Sequence, residues 1–113
     1  MMAFLMGLPT LSPQAVLEHA RAGSAHIYDL NATEHWRRAH VPGAAHLEPG
    51  AFGPEALPAE RERVLVFYCS NPLCRKAPNA ARRAKQLGHS NVFVMSAGIQ
   101  GWLDAGLPVE SGA

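Results

Sequence analysis

The sequence predicts an α/β fold built on a mainly parallel sheet with right-handed crossovers. Short apolar runs alternate with segments of helical periodicity along 113 residues, about the length of one compact domain. The run Val64–Tyr68 contains five apolar residues without a break, which is typical of a central strand covered on both faces. Residues 1–113 are therefore expected to form a single domain with helices around a central sheet.

The first third of the chain predicts a capped helix followed by a strand. Ser12 is placed to cap a helix whose first residue is Pro13, and Gly23 supplies its stop. Residues 25–29 then predict a short strand that ends in an acid, Asp29.

The middle of the chain predicts two short elements and an irregular segment. Thr33 is expected to cap a brief helix that ends at Arg38, and residues 44–47 predict another short strand. Residues 48–63 contain three prolines and two glycines, which favour a loop or a distorted helix.

The predicted central strand leads into a polar loop and a further helix. The loop covers residues 69–76, Pro78 opens the helix, and Gly88 ends it. Residues 91–95 predict a second buried strand.

The last predicted element is a helix with an apolar face. Ile99, Trp102 and Leu103 follow one another at the i, i+3, i+4 spacing of such a face. Trp102 and the earlier Trp36 both lie in helical patterns, so we expect them to pack in the core rather than to bind a ligand.

The composition excludes several classes of protein. Apolar residues make up 48% and charged residues 17%, a globular mixture rather than that of a disordered chain. A net charge of +1 provides no basic field for a nucleic acid. No apolar run reaches the roughly 20 residues that span a bilayer, and the apolar start over residues 1–8 has no basic leader. We therefore expect a cytoplasmic protein that binds neither nucleic acid nor membrane.

The two cysteines, Cys69 and Cys74, are too few for a disulfide scaffold or an all-cysteine zinc site. Their separation of five residues matches neither the Cys-x-x-Cys redox motif nor the usual zinc spacing. In a reducing compartment, we expect at least one of them to be a free thiol rather than half of a permanent bridge.

The position of Cys69 predicts a nucleophile. It directly follows the best strand of the chain, and ligands of open α/β sheets bind at the carboxyl ends of strands. The next helix would turn its free N–H groups and positive dipole end toward the loop. These donors, with Arg75 and Lys76 nearby, are expected to hold Cys69 as a reactive thiolate. The alternative is that Cys69 is a small buried residue at the end of a strand.

Three blocks of the sequence, taken in order over about residues 10–110, resemble the rhodanese family of sulfurtransferases. The last block, Ala-Gly-Ile-Gln-Gly-Trp, is highly specific to that family. The resemblance implies a rhodanese-like three-layer fold. The matching blocks are the strand ending at Asp29 with the turn 39–44, then the strand, Cys69 and the helix with Ala80 and Ala81, and finally residues 91–95 with 97–102.

The resemblance implies a double displacement at Cys69 with no cofactor and no metal. Cys69 would take the outer sulfur of a small anionic donor such as thiosulfate and become a persulfide. Cyanide, a thiol or a partner protein of a sulfur relay would then remove that sulfur. Backbone N–H groups of residues 70–75 would cradle the persulfide. The predicted substrate-binding residues are Ser70, Asn71, Leu73, Cys74, Arg75 and Lys76.

The chain departs from the family pattern at several positions. Asn31 and Ala39 stand where the family has arginine and glycine, and the loop after Cys69 is longer than the common form. The resulting Cys-x5-Arg spacing, from Cys69 to Arg75, resembles related cell-cycle phosphatases and arsenate reductases. Pro72 has no N–H to offer an oxyanion, which weakens that alternative. A non-catalytic binding or regulatory module is the other alternative.

The remaining polar side chains near the predicted site have structural interpretations. His40 is expected to order its turn by hydrogen bonding, and Asp29 to hold backbone or turn groups. The six histidines are scattered, which does not favour a metal site. Cys74 either resolves an oxidised or persulfidated Cys69 or is incidental, and we favour the second interpretation.

Overall fold

The computed structural model describes residues 7–112, so most of the apolar start lies outside the described residues. A 3₁₀ helix, Pro54–Ala56, occupies part of the segment predicted as a loop or distorted helix. The elements in chain order are α1 (Pro13–Ala22), β1 (His26–Asp29), α2 (Thr33–Arg38), β2 (Ala45–His46), β3 (Val64–Tyr68), α3 (Lys76–Gln86), β4 (Asn91–Val94) and α4 (Gly98–Asp104).

The four strands form a parallel sheet in the order β2-β1-β3-β4. Leu65 and Phe67 of β3 pack in the cluster that contains the buried face of α3. Val66 and Tyr68 pack on the opposite face, in the cluster that contains Trp102 of α4. The predicted α/β fold is confirmed, and burial on both faces explains the unbroken apolar run of β3.

Helix α1 begins and ends for the predicted reasons, and the tryptophan of α4 is buried as predicted. The Ser12 hydroxyl oxygen accepts a hydrogen bond from the Ala15 N–H at 3.1 Å, and Gly23 ends α1 in the left-handed conformation. In α4, the buried Trp102 donates its indole N–H to the Pro108 carbonyl at 2.8 Å. Within the described part of the chain, no helix has both the length and the apolar character that crossing a membrane requires.

Three details of the predicted helices are wrong. Ala32, not Thr33, occupies the N-cap of α2, and no side chain caps that end. Helix α3 begins at Lys76 rather than at Pro78, because proline fits the first helical turn, where an N–H has no partner within the helix. Leu103 is 46% exposed, so the buried face of α4 is narrower than predicted.

A buried hydrogen-bond network ties β1 and β3 to the turn after α2. The Tyr68 hydroxyl donates to Asp29 Oδ2 at 2.6 Å and accepts from the Val41 N–H at 3.0 Å. Asp29 Oδ1 accepts from the Asn31 N–H at 2.7 Å. Burial, and then the adjacent Asp29 carboxyl, raise the pKa of Tyr68, so the hydroxyl remains a donor. The predicted structural role of Asp29 is confirmed.

His40 orders the turn after α2, as predicted. Its ring stacks on Trp36 with 3.4 Å between the ring centroids, and its Nδ1–H donates to the Trp36 carbonyl at 2.7 Å. Its backbone exchanges two hydrogen bonds of 2.9 Å with Glu110, which fastens the end of the chain to this turn.

The start of α4 holds the loop that follows β3. The Ile99 N–H donates to the Cys69 carbonyl at 2.9 Å, and the Gln100 N–H donates to the Ser70 carbonyl at 3.0 Å. Gly98 has a φ of +68°, and a Cβ there would lie 2.5 Å from the Ser70 carbonyl carbon. The helix start and the loop therefore touch backbone to backbone, an approach that only glycine permits.

Replacing Tyr68 by Phe removes a hydroxyl that serves two buried groups. Asp29 Oδ2 and the Val41 N–H lose this partner, so we expect Tyr68→Phe to lower the free energy of unfolding by about 1–3 kcal/mol. Urea unfolding followed by circular dichroism measures the loss. Tyr28→Phe is the matched control, because Tyr28 is also buried but its hydroxyl makes no hydrogen bond within the described residues. Equal losses in the two variants would contradict the network's role.

Replacing Gly98 by Ala forces a methyl group against the Ser70 backbone. We expect Gly98→Ala to speed hydrogen exchange at the Ile99 and Gln100 amides by at least about tenfold, because both amides bond to the displaced loop. Gly106→Ala is the matched control: its φ is +70°, close to that of Gly98, but its Cβ would meet nothing within 4 Å. Similar exchange at these two amides in both variants would mean that only backbone strain matters.

Candidate active site

The sulfur of Cys69 lies at the carboxyl end of β3, against the first turn of α3. Cys69 is only 3% exposed, and the Ala77 N–H donates to its Sγ at 3.4 Å. Helix α3 has no acidic residue in its first turn, so nothing there offsets the positive end of its dipole. The structure therefore provides the predicted helix N–H donor, and this arrangement stabilises negative charge on the sulfur.

The Sγ of Cys69 is bonded to the Sγ of Cys74, with 6.4 Å between their Cα atoms. That Cα distance is within the usual range for a disulfide, about 4.4–6.8 Å. The expectation of a free thiol is therefore wrong for this form of the protein. The favoured interpretation of Cys74 as incidental is also wrong, because its sulfur is the covalent partner of the predicted nucleophile.

A turn formed by Asn71 returns the chain toward Cys69. The Cys74 N–H donates to the Asn71 carbonyl at 3.1 Å, and the Leu73 N–H donates to Asn71 Oδ1 at 2.9 Å. Pro72, between them, has no N–H. The N–H groups of residues 70–75 were predicted to surround the Cys69 sulfur. Instead, the N–H groups of Leu73 and Cys74 bond to Asn71, and the donor to Cys69 Sγ is Ala77.

A small cavity adjoins the two sulfurs. It holds about 10 Å³, which is room for roughly one water molecule. Cys69, Asn71 and Cys74 line it on the loop side, and Met95 and Ser96 line it on the β4 side. Of the predicted binding residues, the structure brings only Asn71 and Cys74 to this cavity.

Ser70 and Lys76 line two other surfaces. Ser70 borders an open groove of about 410 Å³ together with Arg38 and Gln100. Lys76 borders a different groove of about 270 Å³ together with Arg83. The predicted binding loop is thus divided among three surfaces.

Neither Leu73 nor Arg75 lines the cavity at the sulfurs. Leu73 is 84% exposed beside the Asn71 turn. Arg75 is exposed at the N-cap position of α3, and its side chain neither caps the helix nor lines the cavity that contains Cys69. The Cys-x5-Arg spacing therefore does not place the arginine side chain against the sulfur in this form.

Two of the six histidine rings hold backbone carbonyls, and two others are partly or fully buried. The His46 Nε2–H donates to the Asn31 carbonyl at 2.7 Å, much as His40 donates to Trp36. Burial lowers the pKa of His26 and His89, which keeps both rings neutral. Within residues 7–112, no three His, Cys, Asp or Glu side chains come together as a metal site would require.

Sequence reasoning missed Ala77 and Gly98, the two residues that set the surroundings of the sulfur. Ala77 acts through its backbone N–H, so its side chain gives no signal. Gly98 lies in the sequence block that resembles the rhodanese family, but its contact with Ser70 joins segments far apart in the chain. The signal in the sequence is a glycine three residues after the predicted strand 91–95.

Two known proteins resemble the whole chain in sequence. An HTH-type transcriptional regulator of Mycobacterium tuberculosis is 29% identical over 98% of this chain, which spans only 50% of that regulator. The thiosulfate sulfurtransferase GlpE of Actinobacillus succinogenes is 24% identical, and the match covers 94% of each protein.

Solved structures share the fold. A thiosulfate sulfurtransferase of Pseudomonas aeruginosa is 26% identical with a TM-score of 0.77, over 93% of this chain and 20% of that one. A protein of unknown function from Rhodopseudomonas palustris, described as a possible tyrosine phosphatase, is 26% identical with a TM-score of 0.75, over 92% of this chain and 86% of that one.

The sequence pattern of the rhodanese-like domain matches residues 12–105. That stretch runs from the N-cap of α1 to the end of α4, and so includes every helix and strand described above. This chain belongs to the rhodanese-like domain family.

Proposed function

We propose that the reduced chain is a sulfurtransferase that moves a sulfane sulfur from thiosulfate, or from another small anionic donor, to a thiol or cyanide. The carrier is a persulfide on Cys69. One observation carries the proposal: the Ala77 N–H donates to Sγ of Cys69, the residue directly after β3. Relatives of this chain are named thiosulfate sulfurtransferase. A single domain over residues 1–113, acting in the reducing cytoplasm, would suffice for this reaction.

The first step loads the sulfur. The Cys69 thiolate attacks the outer sulfur of thiosulfate, the S–S bond of thiosulfate breaks, and sulfite leaves with the electron pair. The Ala77 N–H and the α3 dipole stabilise the thiolate before the attack and the anionic persulfide after it. No acid or base is needed for this step, because no proton moves.

The second step unloads the sulfur. Cyanide or a thiolate attacks the terminal sulfur of the persulfide, and Cys69 leaves as the thiolate that began the cycle. With cyanide the product is thiocyanate. A partner protein in a sulfur relay would supply its own cysteine as the acceptor.

The remaining loop residues serve the approach of the donor. Arg75 and Lys76 are exposed cations at the start of α3, and we propose that they attract an anionic donor by long-range electrostatics. Asn71 and Cys74 border the cavity itself, while Ser70 and Leu73 face the surfaces beside it.

A phosphatase or arsenate reductase is the second candidate. The Cys-x5-Arg spacing and the relative described as a possible tyrosine phosphatase favour it. An oxyanion cradle, however, needs convergent N–H donors and an arginine at the site. In this loop the Leu73 and Cys74 N–H groups bond to Asn71, and Arg75 does not line the cavity.

A non-catalytic binding or regulatory module is the third candidate. The similarity to half of a transcriptional regulator favours it, because that protein carries a corresponding region beside other sequence. Cys69 and its helix N–H donor favour chemistry instead, since a purely structural residue needs no donor aimed at its sulfur.

Replacing Cys69 by Ser removes the nucleophile and keeps its size. After reduction and exposure to thiosulfate, a Cys74→Ser chain, which keeps Cys69 as its one thiol, should gain the mass of one sulfur atom and lose it to cyanide. The native chain should form thiocyanate when cyanide is present in excess. Cys69→Ser should show no gain and lower thiocyanate formation by more than about a thousandfold. The oxidised native chain is the matched control and should be inert until reduced. Full thiocyanate formation by Cys69→Ser would exclude the proposal, and an inert native chain would favour the regulatory module.

Phosphatase activity is tested with a small aryl phosphate. We expect no hydrolysis above the solvent rate by the reduced chain, and no change in Arg75→Ala, because the arginine does not line the cavity. Lys85→Ala, which removes an exposed cation farther along α3, is the matched control. Hydrolysis that Arg75→Ala abolishes and Lys85→Ala keeps would establish the second candidate instead.

A further inference from the structure

The disulfide between Cys69 and Cys74 involves Cys69 Sγ, the atom that the proposed reaction needs as a free thiolate. Both cysteines lie in one short loop, and their sulfurs meet at the cavity where a donor would react. Asn71 holds the turn that brings Cys74 there, through the Cys74 N–H at 3.1 Å and the Leu73 N–H at 2.9 Å. Cys74 is therefore positioned to react with Cys69 Sγ.

We propose that Cys74 resolves the Cys69 persulfide and releases its sulfur as hydrosulfide, so that the chain is also a dithiol-dependent thiosulfate reductase. This inference rests on the proposed persulfide. It adds a second outcome for the carried sulfur, reduction to sulfide, in competition with transfer to an acceptor.

The resolving step balances without an external oxidant. The Cys74 thiolate attacks Cys69 Sγ, a bond forms between the two cysteine sulfurs, and the bond to the sulfane sulfur breaks. The sulfane sulfur leaves with the electron pair and takes up the proton that the Cys74 thiol gave up, so that it is released as hydrosulfide. The geometry favours attack on this inner sulfur, because the structure joins Cys74 Sγ to Cys69 Sγ itself.

An external dithiol then restores the two thiols and supplies two electrons and two protons. Its thiolate would attack Cys74, which is half-buried, whereas Cys69 is 3% exposed. Cys69 is then the leaving group, and the Ala77 N–H stabilises the departing thiolate. The net reaction converts thiosulfate and a dithiol into sulfite, sulfide and a disulfide.

A single-turnover experiment without any external thiol tests the proposal. The chain is reduced, freed of reductant under anaerobic conditions, and mixed with one equivalent of thiosulfate. We expect sulfite and sulfide in equal amounts, and a chain that has lost the mass of two hydrogen atoms. Alkylation and peptide mapping should place the new disulfide between Cys69 and Cys74. The same reduced chain without thiosulfate is the control and should keep both thiols.

Cys74→Ser tests which group releases the sulfide. We expect this variant to retain the added sulfur atom and to release sulfide at least about tenfold more slowly than the native chain, because the hydroxyl cannot resolve the persulfide. Cys74→Ala should behave in the same way, which separates the loss of the thiol from any effect of the serine. Equal sulfide release by all three chains would overturn the proposal.

The outcomes separate the two proposals. Sulfite with a persulfide that persists in the native chain would leave sulfur transfer standing and overturn the role of Cys74. A native chain that forms neither sulfite nor any mass change would overturn the persulfide itself. Sulfide with a disulfide between Cys69 and Cys74 would support both.

Discussion

Two backbone hydrogen bonds from the start of α4 fix the loop on which the proposed chemistry depends. The Ile99 and Gln100 N–H groups donate to the carbonyls of Cys69 and Ser70. These bonds fix the path of the chain where it leaves β3. Because Gly98 has no side chain, the backbone between β4 and α4 packs directly against the backbone of the loop. The N-terminus of α3 can then face Cys69 Sγ from the other side.

The site therefore combines a rigid half and a turn-forming half. The rigid half is the strand end, the Ala77 N–H and the α4 contacts, all built from backbone groups in regular structure. The turn-forming half is the stretch that Asn71 folds back on itself, and it carries Cys74. The proposed sulfur transfer would use the first half, and the proposed release of sulfide by Cys74 would use the second.

The fold could be predicted from local patterns because its strongest elements are local. Five apolar residues defined β3, and Ser12 with Pro13 defined the start of α1. The predicted start of α3 was two residues late. Proline is tolerated throughout the first turn of a helix, so Pro78 did not identify the first residue. The position of Cys69 at the carboxyl end of the central strand could be predicted from the apolar run before it. The disulfide could not, because a separation of five residues is not a signal by itself and the pairing depends on the Asn71 turn.

The buried face of α3 consists of small residues that pack in the same core cluster as Cys69. Ala77, Ala80, Ala81 and Ala84 are all buried in the cluster that also contains Cys69 and Phe67. Methyl groups let the helix lie close to the sheet, and that spacing sets how near the Ala77 N–H comes to Cys69 Sγ. A bulkier side chain on this face would move α3 away from the sheet, which would lengthen the hydrogen bond from the Ala77 N–H to Cys69 Sγ. Under the proposed mechanism, the packing of these alanines, rather than any charged group, would set how strongly the Ala77 N–H stabilises the Cys69 thiolate.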